Sequence, residues 1–374
     1  MPYIHQLPVW PLYEYDVRAL MPALSNVLVH QGRLLGRLEA LGFDDLQDAK
    51  LNAITAEVVK SSEIEGDLLD IEEVRSSVAW RLGMSIGGAL SGDHFVDGVV
   101  EMAMDASERC NAPLDEERLF NWHGALFPTG RGEFGRLRVG QWRDDAHGPM
   151  QVVSSAMTPK ETVHFEAPAA ALIPHEMHSF LNWFESGDEA SAILKAGIAH
   201  LWFVTIHPFS DGNGRIGRAI LDMALARADK RPYRCYSVSA QIRKERKTYY
   251  DALKTAQSGN LDYTGWLDWY LGCLDRALAS AVDTVSGAMS RNRFWHIHKD
   301  KELNERQRAI VSRMLIGIEG KMTKRKWAAM AKCAPMTAFR DIDDLVQKGI
   351  LVSDGQGGRN AGYLLRVFDT FVEE

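Results

Sequence analysis

The sequence predicts a mainly α-helical protein with one small β-hairpin and a separate C-terminal unit. Three observations carry this. Apolar residues recur mostly at spacings of three and four, the period of an amphipathic helix. Only "MQVVSS" and "ETVHFE", separated by Thr158-Pro159-Lys160, read as strand, turn and strand. Beyond "SRNRFWHIHKDKELNER", which is polar, basic and poorly periodic like a linker, a new patterned segment begins.

Taken in order, "YDVRALMPALSNVLVHQGRLLGRLEALG" predicts one or two helices that stop at Gly42. A second helix, from about Asp45 to Glu65, ends at Gly66, a residue suited to the left-handed position after a helix. Another starts at Asp70, with Glu73 three residues on as its capping partner. After the hairpin, helical periodicity runs from "PAAALIPHEMHSFLNWFES" to about Met289. No internal repeat or low-complexity segment interrupts it.

The bulk numbers bound the function. A chain of 374 residues, 46% hydrophobic and 25% charged, has the composition of an ordinary globular protein of two or three domains. Its net charge of −7 argues against a surface given over to nucleic acid or membrane. Cys110, Cys235, Cys273 and Cys333 are scattered with no Cys-x-x-Cys pair, which suits a reducing compartment and offers no zinc site. The start "MPYIHQLPVWPLYEYD" lacks the basic and apolar regions of a signal peptide, and no apolar run reaches membrane-spanning length. A cytoplasmic protein without membrane partners is expected.

The chemistry concentrates in "HPFSDGNGRIGR", residues 207–218, directly after the apolar "GIAHLWFVTI". Glycines at 212, 214 and 217 allow close approach to the backbone. The helical "RIGRAILDMALARA" that follows places the loop at a helix N-terminus, where free amides and the dipole favour an anion. Arg215 and Arg218 share a face of the first helical turns and offer forked donors to phosphate oxygens. Asp211 beside them is a natural ligand for Mg²⁺, which commonly takes one or two carboxylates plus substrate phosphates. His207, with an ordinary pKa of about 6.5, suits a general base.

These twelve residues match the Fic family motif His-Pro-Phe-x-(Asp/Glu)-Gly-Asn-Gly-Arg-x-x-Arg without departure. The likeness covers roughly residues 115–275. It takes in "GQWRDDAHGPMQVVSS" as the Gly-x-x-Arg lead-in to a flap and "TYYDALKTAQSGN" as the post-motif helix. The resemblance implies a helical Fic fold with a β-hairpin flap, and transfer of AMP from ATP to a Ser, Thr or Tyr hydroxyl of a protein, with self-modification expected. By the same resemblance His207 is the base, Asp211 holds Mg²⁺ or Mn²⁺, and Gly212, Asn213, Gly214 and Arg215 cradle the α- and β-phosphates. Arg218 then holds the γ-phosphate, while Tyr249 and Gln257 contact the nucleoside. The flap residues Met150, Gln151, Val152 and Val153 present an edge to an extended target segment.

Upstream, "KSSEIEG" reads Ser61-x-x-x-Glu65-Gly66. Glu63 and Glu65 fall in the last turn of a helix, where the dipole disfavours negative charge by ~0.3–1 kcal/mol, so a cationic partner is expected. This stretch resembles the Fic family's inhibitory helix, which implies that Glu65, with Ser61, belongs to an in-cis inhibitor pairing with Arg218. The N-terminal stretch through Asp70 resembles the helical module that precedes many Fic domains. The expected division is a helical module over 1–100 carrying the inhibitory helix at about 45–66, a Fic catalytic domain over 101–290, and a linker and C-terminal domain over 291–374.

The C-terminal stretch from "KWAAMAKCAPMTAF" to "NAGYLLR" resembles a winged helix-turn-helix, with a turn at Ala334-Pro335, a helix to Lys348 and a Gly-rich wing. Residues 321–366 hold nine Lys/Arg and four Asp/Glu, which favours DNA backbone contact. Asp341, Asp343 and Asp344 on its second helix oppose such contact if they face a groove. DNA and protein docking both stay open for this unit, as does a homodimer. The alternative to a transferase is a winged-helix regulator whose Fic domain senses nucleotide. A further variant has Glu65 orient a water that removes AMP.

Overall fold

Helix ends in this chain are written in capping residues, and the computed structural model follows them. It describes residues 2–84, 93–132, 135–146, 148–154, 162–187, 191–231, 233–355 and 361–366; the expected hairpin turn at Thr158-Pro159-Lys160 lies outside these. Asp16 caps α1 (Val17–Glu39), its carboxylate accepting from the amides of Arg18 and Ala19. α2 (Phe43–Glu65) closes on Gly66 at φ 107°. Asp70 caps α3 (Ile71–Arg81) by accepting from Glu72 and Glu73. Then come α4 (His94–Glu108) and α5 (Glu116–Leu126).

Two short hairpins follow. The first pairs β1 (Arg131–Gly132) with β2 (Gly135–Arg136). The second is the expected one, β3 (Gln151–Ser154) antiparallel to β4 (Thr162–Glu166), with Val152 opposite Phe165 and an irregularity after Val152. Val153 and Val163 leave this ribbon exposed, whereas Phe165 is buried with Tyr3 edge-on to its ring at 4.9 Å.

Helices resume with α6 (Ile173–Glu185), α7 (Ala192–Ile206), α8 (Asn213–Asp229), α9 (Val238–Lys244), α10 (Arg246–Ala256) and α11 (Thr264–Ile297). α7 is buried along nearly its whole length and forms the axis of the larger unit, Met1–Val282. Bare glycines let its neighbours close in. A Cβ at Gly197 would stand 2.5 Å from the Tyr270 ring, and one at Gly217 would stand 2.9 Å from Val204. α2 is docked by buried Leu51, Ile54, Val58, Val59 and Ile64 and by Glu57. That carboxylate accepts from Ser237 Oγ at 2.7 Å and the Ser239 amide at 3.1 Å, fixing the start of α9.

The second compact unit, Asp283–Glu374, holds α12 (Glu305–Ile316), α13 (Lys324–Ala331), α14 (Pro335–Gln347) and the antiparallel pair β5 (Leu351–Ser353) and β6 (Tyr363–Leu365). Trp327, Val311, Ile342, Leu345 and Ile350 form its core together with Phe294. Phe294 explains a departure from the sequence expectation: the stretch from Ser290, read as a linker, is helical to Ile297 because it delivers this ring to a core. Among the described residues no helix is long and apolar enough to cross a membrane.

Candidate active site

The loop after α7 begins on strained backbone. His207 is left-handed, at φ 53°, a conformation uncommon for a residue with a Cβ. Arg143 holds it there. Its Nε donates to the His207 carbonyl at 2.8 Å, its backbone amide donates to Pro208 O, and its other nitrogens reach Pro168 O and Asp145. The lead-in to the flap is thereby bonded to the loop that begins at His207. His207 Nδ1 lies 3.3 Å from the Val204 carbonyl, an acceptor that favours the tautomer with the ring proton on Nδ1 and the lone pair on Nε2. Burial pushes the imidazole pKa down to about 4, with Arg143 adding to that fall against Glu65 and Asp211. The ring is neutral at neutral pH, as a proton acceptor must be.

The rest of the loop is closed by its own side chains. Asn213 is 1% exposed; it accepts from the Phe209 amide at 2.9 Å and donates to the Phe209 carbonyl at 2.7 Å. Asp211 Oδ1 accepts from the Gly212 amide at 2.6 Å. Gly212 sits at φ 81° and has no room for a Cβ, which would meet Phe127 at 2.9 Å. The next amides open α8 and have no carbonyl partner within the helix. His123, which the sequence did not mark, supports this turn from below. It stacks on Phe209 at 4.3 Å and accepts from the Gly140 amide. Burial pushes its pKa down to about 4 as well.

α2 lies across the two arginines. Arg218 is 1% exposed, and each of its three nitrogens donates to this helix: Nε to Ser61 Oγ at 2.9 Å, Nη2 to the Ser61 carbonyl at 2.8 Å, and Nη1 to Glu65 Oε1 at 2.7 Å. Burial would raise the Glu65 carboxyl pKa, but the charge of Arg218 and its hydrogen bond hold it below the usual carboxylate range. Glu65 also rests on the loop itself, since a Cβ on Gly214 would come within 2.0 Å of Oε1. Glu63 has cationic partners too, in Lys60 and Arg243. Both acidic residues of the last helical turn therefore carry the cations that their position demands. Arg215 donates to Asp67 Oδ2 at 2.9 Å, a partner that the sequence did not single out.

Tyr249 and Gln257 turn inward. Tyr249 is 2% exposed, and its hydroxyl lies 2.9 Å from His200 Nε2. Gln257 is 6% exposed, with its amide nitrogen 3.3 Å from Thr205 Oγ1. Neighbouring Tyr250 is the open ring, 39% exposed. Helical spacing puts residues 249 and 257 on one face, and the structure makes that face the one against α7.

A profile described as the Fic/DOC family matches residues 113–225, the segment that holds this loop. The chain carries a Fic/DOC domain. A second profile, described as a domain of unknown function (DUF4172), matches residues 3–84 and so contains α2. The protein adenylyltransferase Fic of Drosophila grimshawi is 26% identical over 223 residues, 58% of this chain and 41% of its own length. That of Aedes aegypti is 35% identical over 111 residues, 28% of this chain and 21% of its own. The chain thus spans less than half the length of these curated relatives. The solved structure of a Fic family protein from Desulfovibrio desulfuricans superimposes with a TM-score of 0.52 at 21% identity, covering 93% of this chain and 97% of that one. A Fic domain containing signaling protein from Bacteroides thetaiotaomicron gives 0.51 at 19%, covering 70% and 97%. At such identities the likeness is one of fold: a helical Fic fold with a small β-hairpin.

Proposed function

We propose that the Fic domain transfers AMP from ATP to a hydroxyl of a protein, its own chain included, and that Glu65 restrains it. The observation that carries this reading is the loop itself: a neutral His207 with a free Nε2 beside the first amides of α8 and two buried arginines. His207 Nε2 takes the proton of a Ser, Thr or Tyr hydroxyl. The hydroxyl oxygen bonds to the α-phosphorus as the bond from that phosphorus to its bridging oxygen breaks, and pyrophosphate leaves. The amides of Asn213 and Gly214 meet the phosphate oxygens, with the Gly212 amide engaged by Asp211, and Arg218 is the natural anchor for the γ-phosphate. Positioning and charge stabilisation account for most of the rate in such chemistry.

Asp211 suits Mg²⁺ or Mn²⁺ held jointly with substrate. Among the described residues no cluster of three or more acidic, His or Cys side chains could hold a metal alone, and Mg²⁺ normally completes its shell with water and substrate phosphate. Bound there, the ion supplies neutralisation of phosphate charge. The backbone from Met150 through Val153, most of it in β3, offers pairing to an extended target. Labelled ATP, GTP, CTP and UTP, each incubated with the protein with Mg²⁺ and with excess chelator, test the reading together. Label from ATP is expected on the protein only with the metal; undiminished labelling in chelator would refute the metal role.

A second reading concerns the C-terminal unit, proposed as a winged helix-turn-helix that binds duplex DNA. The observation favouring it is the fate of its acidic residues. Asp341 is 5% exposed and accepts from Arg306, Asn304 and Trp327. Asp344 accepts from Gln307 and Lys348. Asp341 is thus neutralised from within, Asp344 is paired on the surface with its side chain 41% exposed, and Asp343 is exposed. Binding to duplex DNA should weaken steeply with salt and survive His207→Ala. Retention that ignores salt would assign the face to a protein partner instead.

A further inference from the structure

Asp67 makes a contact that parallels the one at Glu65 and that no motif marks. The left-handed turn at Gly66 sets carboxylates 65 and 67 against two arginines almost one helical turn apart on α8. Glu65 meets Arg218, and Asp67 meets Arg215 at 2.9 Å. Arg215 is 4% exposed, with its guanidinium carbon 5.7 Å from the centre of the Phe95 ring and 5.2 Å from that of Phe127. Its Nη2 lies 3.6 Å from Asp211 Oδ1, and its Nε has no hydrogen-bond partner among the described residues.

We infer that Asp67 is a positioning residue that competes with nucleotide phosphate for Arg215, a restraint separate from that of Glu65. The inference rests on the proposed reading of the loop as a phosphate cradle. A guanidinium flanked by two rings has little freedom to swing toward a new partner. The freer member of the pair is Asp67, whose side chain is 44% exposed. It stands on the wall of a groove of about 950 Å³ that Glu65, Asp211, Phe127 and Arg215 also line. An incoming triphosphate therefore meets a carboxylate that already occupies Nη1 and opposes it by charge. Asp67 and Glu65 hold different arginines but line one groove two residues apart, so their removals should reinforce each other without adding strictly.

The test is calorimetric titration of ATP with Mg²⁺ into the parent protein, Asp67→Asn, Asp67→Ser and Asp67→Glu. Both neutral variants should bind ATP roughly threefold to tenfold more tightly, as expected for removing one like charge near a phosphate site, and Asp67→Glu should stay close to the parent. Two neutral side chains are used so that a folding failure in one leaves the other to decide. In a Glu65→Gly background, Asp67→Asn should still lower KM for ATP, with kcat within twofold. Equal or weaker ATP binding by the neutral variants would overturn the inference, since an Asp67 that merely props Arg215 in place would lose affinity when removed. Tight binding by Asp67→Glu would overturn it too. If Glu65→Gly transfers no AMP, the transferase reading fails, while the titrations still decide the role of Asp67.

Discussion

Replacing Glu65 with Gly should raise AMP incorporation at saturating ATP by tenfold or more over the parent. The gain comes from the way Arg218 divides its fork. Ser61 takes Nε and Nη2, and Glu65 takes Nη1 alone. Loss of the carboxylate frees one donor toward the γ-phosphate while Ser61 keeps the guanidinium oriented. It also clears the space beside Gly214, where Glu65 Oε1 lies 2.0 Å from the position of a Cβ, so the triphosphate can settle against the first amides of α8. A buried arginine pair broken on one side is worth a few kcal/mol at most, and Glu65 keeps 31% of its side chain exposed, which reduces that figure. Since each ~1.4 kcal/mol is tenfold in rate, one to two decades is the expected range. Glycine at the last residue of α2 costs at most ~1 kcal/mol of helix, and Glu57 and the buried apolar face still dock the helix. Rates that agree within twofold would reduce "SSEIEG" to a capped helix end.

Replacing His207 with Ala should lower transfer by ~10²–10⁴-fold, the usual contribution of a general base, in parent and Glu65→Gly backgrounds alike. Nucleotide affinity should stay within about threefold, because the phosphate donors are the amides of α8 and the arginines. Arg143 bonds to the backbone of residue 207 rather than its ring, so the loop keeps its shape without the imidazole. Single-turnover labelling alongside ATP titration separates the two quantities. Unchanged transfer would remove His207 from the mechanism, and joint loss of transfer and binding would make it a structural residue.

Much of this site was legible because its parts are local. Residues 207–218 form one loop and one helix start, so the gathering of a histidine, a carboxylate, helix-start amides and two arginines could be read from the residue types and their spacing. The electrostatic discomfort of Glu63 and Glu65 at a helix end pointed to cationic partners, and the structure supplies them. What was not legible depends on tertiary approach. Asp67 and Arg215 are 148 residues apart, and nothing local distinguishes Asp67 from any polar residue after a helix. The spacing of Tyr249 and Gln257 fixed a shared face without saying which side of α10 the core would claim. His123 and His200 gave no signal, since an isolated histidine on an apolar face carries no pattern. The helical stretch from Ser290 to Ile297 was hidden by its polar surface, with Phe294 as its single deep anchor.

The central claim is that the α-phosphate of ATP, with its nucleoside, ends on a protein hydroxyl. Its most direct test is to incubate the Glu65→Gly protein with Mg²⁺ and ATP labelled at either the α- or the γ-phosphate, then to measure intact and peptide masses. The account predicts label from the α position only, a mass increase of one AMP on a Ser, Thr or Tyr, and release of unlabelled pyrophosphate. Label from the γ position, or an unmodified protein under conditions where ATP binds, would contradict it.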